Sequence, residues 1–278
     1  MHCGRFAPSP TGRLHLGNLR TALVAHRFAR EHARGRFVIR IEDLDPRTST
    51  KFFAAELLVD LETLGVVSDG PVLFQGERFG IYRSLVRQLS TVGATYECFC
   101  SRKEVREAAT APHGNMVTYP GTCRYLTAVQ ANEKRSTRQP AIRLRVESGI
   151  RTKGQVDDVV LVRNDGVPAY NLAVVVDDEL QGVTQVVRGN DLAHVTASQT
   201  YLQRLLNFRT PEYVHIPLMV GPDGRRLSKR HGDVTLGDCF SLGFSADAVR
   251  AALLRSFDLG TNGWQESSSL TQWLESLL

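Results

Sequence analysis

Long apolar runs are missing from this 278-residue sequence, and their absence argues against a membrane protein. No stretch approaches the roughly 18 consecutive apolar residues that a membrane-spanning helix needs. The amino terminus, MHCGRFAP, also lacks the apolar segment of a secretory signal peptide. We therefore expect a cytoplasmic protein with no membrane partner.

Cysteine is scarce, and the number of cysteines argues against a fold held together by disulfides. There are five cysteines, an odd count, and with no signal peptide in front of them they argue against a disulfide framework. Charge is only mildly unbalanced, with 34 Lys and Arg against 29 Asp and Glu, for a net charge of +5. That balance permits a polyanionic partner such as a nucleic acid but does not require one.

Strand and helix patterns alternate in the first third of the chain. Strands are predicted at 2–7 and 36–42, and amphipathic helices at 16–33, 49–64 and 78–92. This order favours an α/β fold with a parallel sheet.

The middle of the chain has a different character. Strands are predicted at 141–147, 156–163 and 169–177, with little helix between them. A helical pattern returns at 185 with QVVRGNDL, and helices are predicted over about 196–207 and 241–257. We interpret this change as a sheet interrupted by an inserted region.

The stretch GRFAPSPTGRLHLGNLRTAL, residues 4–23, reads as a strand that breaks into a turn and then starts a helix. A helix N-terminus exposes unpaired N–H groups and attracts anions. Pro8 and Pro10 stiffen the turn, Gly17 allows close approach, and His15 can donate to a phosphate oxygen. On these residues alone, a nucleotide site and a purely structural turn are equally open interpretations.

A second stretch, VGPDGRRLSKRHGD at 220–233, is rich in glycine and basic residues. Arg225, Arg226, Lys229 and Arg230 suit a triphosphate, because a loop that carries them can neutralise developing negative charge. Taken alone, a solvated basic loop is the commoner case.

The two stretches together resemble a known family. HLGN at 15–18 resembles the HIGH motif of class I aminoacyl-tRNA synthetases, and RLSKR at 226–230 resembles their KMSKS motif. RFAPSPTGRLHLGNLRTAL, followed by RIEDLDPRT at 40–48, is similar to the glutamate-specific branch. The resemblance runs from Arg5 to about Asp233.

This resemblance implies a fold and a division into domains. The fold is α/β, with a Rossmann-type catalytic domain built around a parallel sheet. Its two halves are 1–93 and 185–240. They are interrupted at 94–184 by an α+β region that bears zinc and contacts the tRNA acceptor, and 241–278 forms a short C-terminal helical segment.

The residues after Asp233 are too few for the large anticodon-binding region of a full-length glutamate-specific synthetase. The shorter form resembles family members that activate L-glutamate with ATP as glutamyl-adenylate. These enzymes transfer the glutamate to the queuosine base at the wobble position of tRNA(Asp). The resemblance thus implies an ATP-dependent ligase that modifies tRNA, and we expect a monomer. The alternatives are a truncated synthetase that charges a tRNA 3′ end and a non-catalytic, synthetase-like RNA-binding protein.

Glutamate carries two carboxylates and one ammonium group, so its pocket needs fixed cations and an anion, and arginine binds carboxylates bidentately. The resemblance implies glutamate binding by Arg5, Ala7, Ser9, Glu42, Tyr170 and Arg188, with Glu42 meeting the ammonium. For ATP it implies His15, Gly17, Asn18, Ser228 and Lys229. His15, Gly17 and Lys229 would carry catalysis by positioning and charge neutralisation. Mg²⁺ is expected to arrive with ATP.

Three of the cysteines predict a metal site. Cys98 and Cys100 can chelate one ion, and Cys123 can supply a third thiolate to zinc, which favours four tetrahedral ligands. The residues alone leave the fourth ligand open, with His113 the conventional donor and Tyr125 also near; the resemblance implies Tyr119. We expect one structural zinc ion, against the competing interpretation of three buried free cysteines.

Overall fold

The computed structural model describes residues 2–108, 119–151, 156–221, 234–263 and 269–278. The chain forms two compact units. The first comprises Met1–Gly76, Leu180–His194 and Thr210–Leu278. The second comprises Glu77–Glu179 and Val195–Arg209.

Strands and helices alternate along the described chain. The strands are β1 (Cys3–Phe6), β2 (Arg36–Ile41), β3 (Leu73–Phe74), β4 (Thr95–Cys98), β5 (Ala141–Leu144), β6 (Val160–Val162), β7 (Gln185–Gly189) and β8 (Glu212–Ile216). The α-helices are α1 (Leu16–Arg30), α2 (Lys51–Thr63), α3 (Phe79–Thr91), α4 (Arg102–Ala108), α5 (Ala128–Arg135), α6 (Ser148–Arg151), α7 (Tyr170–Leu180), α8 (Thr196–Leu205), α9 (Leu236–Ser241), α10 (Ala246–Asp258) and α11 (Leu270–Ser276). Short 3₁₀ turns lie at Gln75–Arg78 and Asn190–Val195.

The first unit is built on a parallel sheet with the strand order β3-β2-β1-β7-β8. The predicted α/β fold with a parallel sheet is therefore confirmed. The order reverses direction between β1 and β7, and in open α/β sheets ligands bind beside the carboxyl ends of the strands at such a switch point.

Helix α1 packs on one face of this sheet. Leu16, Leu19 and Leu23 are buried in the core on that side. Gly4 allows the close approach, because a Cβ there would lie only 2.9 Å from the Cβ of Ala29. None of the helices in the described part of the chain is long and apolar enough to cross a bilayer.

The second unit contains an antiparallel sheet with the order β4-β5-β6. A buried ion pair ties its loops to this sheet. Both carboxylate oxygens of Asp158 accept from Nη1 of Arg124, at 2.7 and 2.6 Å, and the Tyr96 hydroxyl donates to one of them at 2.7 Å. The shared hydrogen bonds satisfy the buried carboxylate.

Two predicted elements are wrong in type. Residues 169–177, predicted as a strand, lie in helix α7, and QVVRGNDL, predicted as helical, supplies strand β7. Each contains a short run of buried residues, 172–176 in the first and 185–188 in the second, and periodicity does not distinguish a buried strand from a buried helix. The valines of α7 favour a strand, but tertiary contacts favour the helix. Asp177, on this helix, is bound to Arg78 and Tyr82 at 2.8 and 2.7 Å.

The predicted helix at 241–257 starts later than expected. Gly243 has φ +90° and separates α9 from α10, a conformation that favours glycine. Ser245 then caps α10 by accepting the N–H of Ala248 at 3.2 Å.

Candidate functional site

The HLGN turn joins strand β1 to helix α1 and is held rigidly. His15 is the N-cap of α1, and its Nδ1 accepts the N–H of Asn18 at 3.3 Å. The buried side chains of Leu14 and Leu16 anchor the turn in the core. Gly17 lies so close to His15 that a Cβ there would be 3.0 Å from the imidazole ring. The turn therefore depends on the missing side chain at position 17.

The same turn is tied to the residues that follow the basic stretch. The N–H of Leu16 donates to the carbonyl of Val234 at 2.9 Å, and His15 forms an isolated bridge with Thr235. Ser228 and Lys229 lie outside the described residues. The structure thus brings the HLGN turn to the carboxyl-terminal flank of the basic stretch.

Arg20, on α1, contributes an anchor that the sequence analysis missed. Its buried guanidinium donates to the carbonyls of Pro217 and Thr261 at 2.7 and 3.0 Å. Burial lowers the pKa of Arg20 to about 10, because its hydrogen-bond acceptors there are neutral. Arg20 thereby joins α1 to the segment just after β8 and to residue 261.

Arg5 and Arg188 lie on the sheet face opposite α1. Gly4 faces α1, so its neighbour Arg5 points the other way, and Val187 lies in the α1-side core, so Arg188 points the same way as Arg5. Both arginines are buried, on β1 and β7, the strands that flank the switch point. The structure therefore brings these two predicted glutamate ligands to the same face of adjacent strands.

Glu42 follows β2 at the carboxyl end of the same sheet. Its backbone N–H donates to the carbonyl of Pro8 at 2.9 Å, which ties it to the turn after β1. Its carboxylate lies 3.6 Å from Nη2 of the fully buried Arg40, whose Nη1 donates to Gln181 at 2.9 Å. Arg40 is a site residue that the sequence analysis missed, although an arginine inside the apolar strand RFVIRI is a visible signal.

The remaining predicted ligands differ in their surroundings. Ala7 and Ser9 lie in the turn after β1, where Ser9 is exposed and its carbonyl accepts the N–H of Thr11 at 2.9 Å. Asn18 lies in the first turn of α1. Tyr170 begins α7, in the second unit.

Three cysteines and one tyrosine converge in the second unit. The sulfur atoms of Cys98, Cys100 and Cys123 all lie within 4.8 Å of one another, with 3.6 Å between Cys100 and Cys123. The Tyr119 hydroxyl lies 3.3 Å from the sulfur of Cys98 and 3.6 Å from that of Cys100. Zinc–sulfur bonds of about 2.3 Å in a tetrahedron would place sulfurs about 3.8 Å apart, so these donors fit a tetrahedral ion.

Of the two alternative fourth ligands, Tyr125 is turned to solvent. Tyr125 is 75% exposed to solvent, whereas Tyr119 is 1% exposed. His113 lies outside the described residues.

A positive charge stands beside the thiols. The guanidinium of Arg143 lies 3.8 Å from the centre of the Tyr119 ring. Burial opposes ionisation of Cys98, yet hydrogen bonds with Tyr119 and Arg143 and the charge of Arg143 lower the pKa of that thiol below its usual range. The surroundings therefore favour a thiolate, the form that binds metals, at Cys98, whereas burial raises the pKa of Cys100 to about 11.

Comparison with known proteins places the chain in a family. The family model described as "tRNA synthetases class I (E and Q), catalytic domain" matches residues 3–267. A protein named glutamyl-Q tRNA(Asp) synthetase from Nocardia farcinica is 49% identical over 269 residues, covering 92% of this chain and 85% of that protein. One of the same name from Cutibacterium acnes is 50% identical over 270 residues, covering 92% and 76%.

A solved structure is also similar. The crystal structure of a glutamate tRNA ligase from Elizabethkingia meningosepticum, in complex with its amino acid, matches with a TM-score of 0.73 and 25% identity. The match covers 99% of this chain and 64% of that ligase, so the chain spans less than two thirds of the ligase.

Proposed function

This chain belongs to the class I tRNA synthetases of the E and Q type, and we propose that it activates L-glutamate with ATP and transfers the glutamate to the queuosine base of tRNA(Asp). One observation carries the first half of this proposal. The switch point of the parallel sheet is flanked by the strands that carry Arg5 and Arg188, and Glu42 follows the neighbouring strand β2. The HLGN turn follows the same strand as Arg5.

Glutamate suits the charges of this site. Two buried arginines can each bind a carboxylate through paired N–H donors, and Glu42 can accept the substrate ammonium. Nη2 of Arg40, 3.6 Å from the Glu42 carboxylate, places a positive charge beside it. We also assign Ala7, Ser9 and Tyr170 to the glutamate pocket, on the family resemblance.

ATP would bind at the HLGN turn. His15 and Gly17 would contact phosphate and adenosine at the N-terminus of α1, with Asn18, Ser228 and Lys229 as further ligands. A carboxylate oxygen of glutamate attacks the α-phosphorus of ATP, the bond to the bridging oxygen breaks, and Mg²⁺-bound pyrophosphate leaves. Lys229 would neutralise the departing charge, so the protein contributes positioning and electrostatics rather than a nucleophile.

The acceptor follows from the relatives. Those that are 49% and 50% identical are named glutamyl-Q tRNA(Asp) synthetase, which supports queuosine in tRNA(Asp) as the acceptor. The second candidate is charging of a tRNA 3′ end, which the likeness to a solved glutamate tRNA ligase favours.

We further propose that Cys98, Cys100, Cys123 and Tyr119 hold one zinc ion, which would cross-link β4 to the turn at Tyr119–Cys123. Three thiols and a phenol within bonding reach of one point are a suitable donor set. Cys100 and Cys123 also line a cleft of about 390 Å³, which gives the ion a route from solvent. We keep the division in which 94–184 is the inserted, zinc-bearing region, 1–93 and 185–240 form the catalytic domain, and 241–278 is the C-terminal helical segment. We also propose that the enzyme works as a monomer.

Glutamate-dependent exchange of labelled pyrophosphate into ATP, without tRNA, tests the activation step. We expect exchange with glutamate and little with aspartate or glutamine. A chain that binds ATP but shows no exchange with any amino acid would be the non-catalytic RNA-binding alternative, and the proposal would be wrong.

A further inference from the structure

His215, on strand β8, contacts Arg188 directly. The two residues are register partners on adjacent strands, and Nε of Arg188 donates to Nε2 of His215 at 3.2 Å. Tyr213, on the same strand and face, packs against both: the guanidinium carbon of Arg188 lies 4.7 Å from the centre of the Tyr213 ring. The Tyr213 and His215 rings are nearly parallel, 7° apart in plane, with centroids separated by 6.3 Å.

We propose that His215 is a positioning residue that aims Arg188 at a carboxylate of glutamate, and that glutamate binding requires its ring to be neutral. This inference rests on the proposed function, because it takes Arg188 as a glutamate ligand. The contact uses Nε–H of Arg188, so we expect Nη1 and Nη2 to donate the two hydrogen bonds to the substrate carboxylate. A guanidinium held at one edge and stacked on a ring loses less freedom when it binds a carboxylate.

The protonation state of His215 decides whether this contact exists. Nε2 accepts a hydrogen bond only when it carries no proton. Burial and the charge of Arg188 both lower the pKa of His215, so the ring is neutral near pH 7. Protonation in acid would remove the acceptor and place a second positive charge against Arg188.

On the strands of this sheet, the described charged and titratable residues around His215 are as follows. Arg188 faces it from β7, Tyr213 lies on its own strand, and Arg5 lies on the same face of β1. Glu212 projects to the opposite face, where it accepts from Gln185 at 3.0 Å. The positive charge of Arg188, which contacts His215 directly, opposes protonation of the His215 ring.

The test compares His215→Leu and His215→Gln with the native enzyme in glutamate-dependent pyrophosphate exchange from pH 5.5 to 8. We expect the native KM for glutamate to rise about tenfold once the pH falls below the lowered pKa of His215, since a hydrogen bond to a charged group is lost. His215→Leu should raise KM about tenfold at pH 7.5, leave kcat within about twofold, and remove the pH dependence of KM. His215→Gln, whose amide oxygen can accept from Arg188, should restore most of the affinity and keep it at low pH.

A matched control exists on α1. Nε of Arg30 donates to Nε2 of His26 at 3.3 Å, the same chemistry on the other side of the sheet. His26→Leu should leave the KM for glutamate and its pH profile unchanged.

Arg188→Ala separates the positioning role of His215 from the glutamate role of Arg188. If Arg188→Ala raises KM while His215→Leu behaves as the native enzyme, this inference is overturned and the glutamate role of Arg188 survives. If both variants keep the native KM, the glutamate role of Arg188 fails as well. Should His215→Leu not fold, as judged by circular dichroism, His215→Phe, which keeps a ring but has no acceptor, takes its place in the same assay, and a native KM for that variant overturns the inference.

Discussion

At the scale of single residues, the position of the His15 ring depends on the absence of a side chain at Gly17. The imidazole both caps α1 and faces the position where we place the phosphates. A methyl group at position 17 would lie 3.0 Å from Cε1 and Nδ1 of that ring, so the ring would have to shift. A shift of the ring would weaken the N-cap of α1, so the gain in helix propensity from glycine to alanine is offset and activity is expected to change more than stability.

Gly17→Ala should reduce kcat/KM for ATP in pyrophosphate exchange at least tenfold, while the unfolding free energy changes by no more than about 1 kcal/mol. Gly80→Ala is the matched control, because a methyl group on Gly80, in helix α3, would have no atom within 4 Å of it. That variant should keep native exchange. Equal kinetics for the two variants would show that the His15 contact has no role in ATP use.

The sequence identifies residues that stand in contiguous motifs and misses residues whose roles depend on contacts with distant parts of the chain. His15, Gly17, Arg5 and Glu42 stand in contiguous motifs, so their neighbours along the chain point to them. Arg20, Arg40 and His215 act through partners that are distant in sequence, such as Pro217 for Arg20 and Gln181 for Arg40. No spacing rule in one sequence reveals such pairs.

At the scale of elements, helix α1 is the part to which both flanks of the basic stretch are attached. The flank before it is held through Arg20 and Pro217, and the flank after it through Leu16 and Val234, at 2.7 and 2.9 Å. The stretch is therefore anchored to the helix whose N-terminus would face the triphosphate.

Arg20→Met should lower the unfolding free energy by about 2 kcal/mol, because it removes the hydrogen bonds that a buried, charged donor makes to the carbonyls of Pro217 and Thr261. Arg27→Met is the control on the same helix. Arg27 forms an exposed ion pair with Asp258 at 2.7 Å, and its loss should cost less than about 1 kcal/mol. Urea titration of the two variants checks this, and equal losses would contradict the anchoring role of Arg20.

The cysteine cluster gives an element-scale test of the metal. We expect about one zinc per chain in the native protein by elemental analysis, lost together with thermal stability in Cys98→Ser or after treatment with a chelator. Cys239→Ser is the control, because Cys239 is a buried thiol in α9, in the first unit. Retention of full metal content and melting temperature in Cys98→Ser would overturn the proposed site.

Elements were predictable where the pattern had a clear period. The helices over α1, α2, α3 and α8 were predicted from apolar spacing and end signals, and the structure confirms them within a few residues. Strand β7 and helix α7 were not, because a run such as LAVVV, 172–176, is apolar at every position and only its tertiary neighbours decide its type. Strand β8, which carries His215, was not predicted from the sequence.

At the scale of the whole molecule, the central claim concerns where glutamate is placed on tRNA. Activation would be common to both candidate functions, so exchange assays do not separate them. Queuosine and the 3′-terminal adenosine lie at opposite ends of tRNA, and each can be removed without the other.

The most direct measurement follows labelled glutamate onto tRNA(Asp) prepared in three forms: intact, without queuosine, and with queuosine but with the 3′-terminal adenosine removed enzymatically. The proposed function predicts equal labelling of the intact and 3′-trimmed forms and no label on tRNA that lacks queuosine. Label that requires the 3′ adenosine and ignores queuosine would contradict it and identify a charging synthetase.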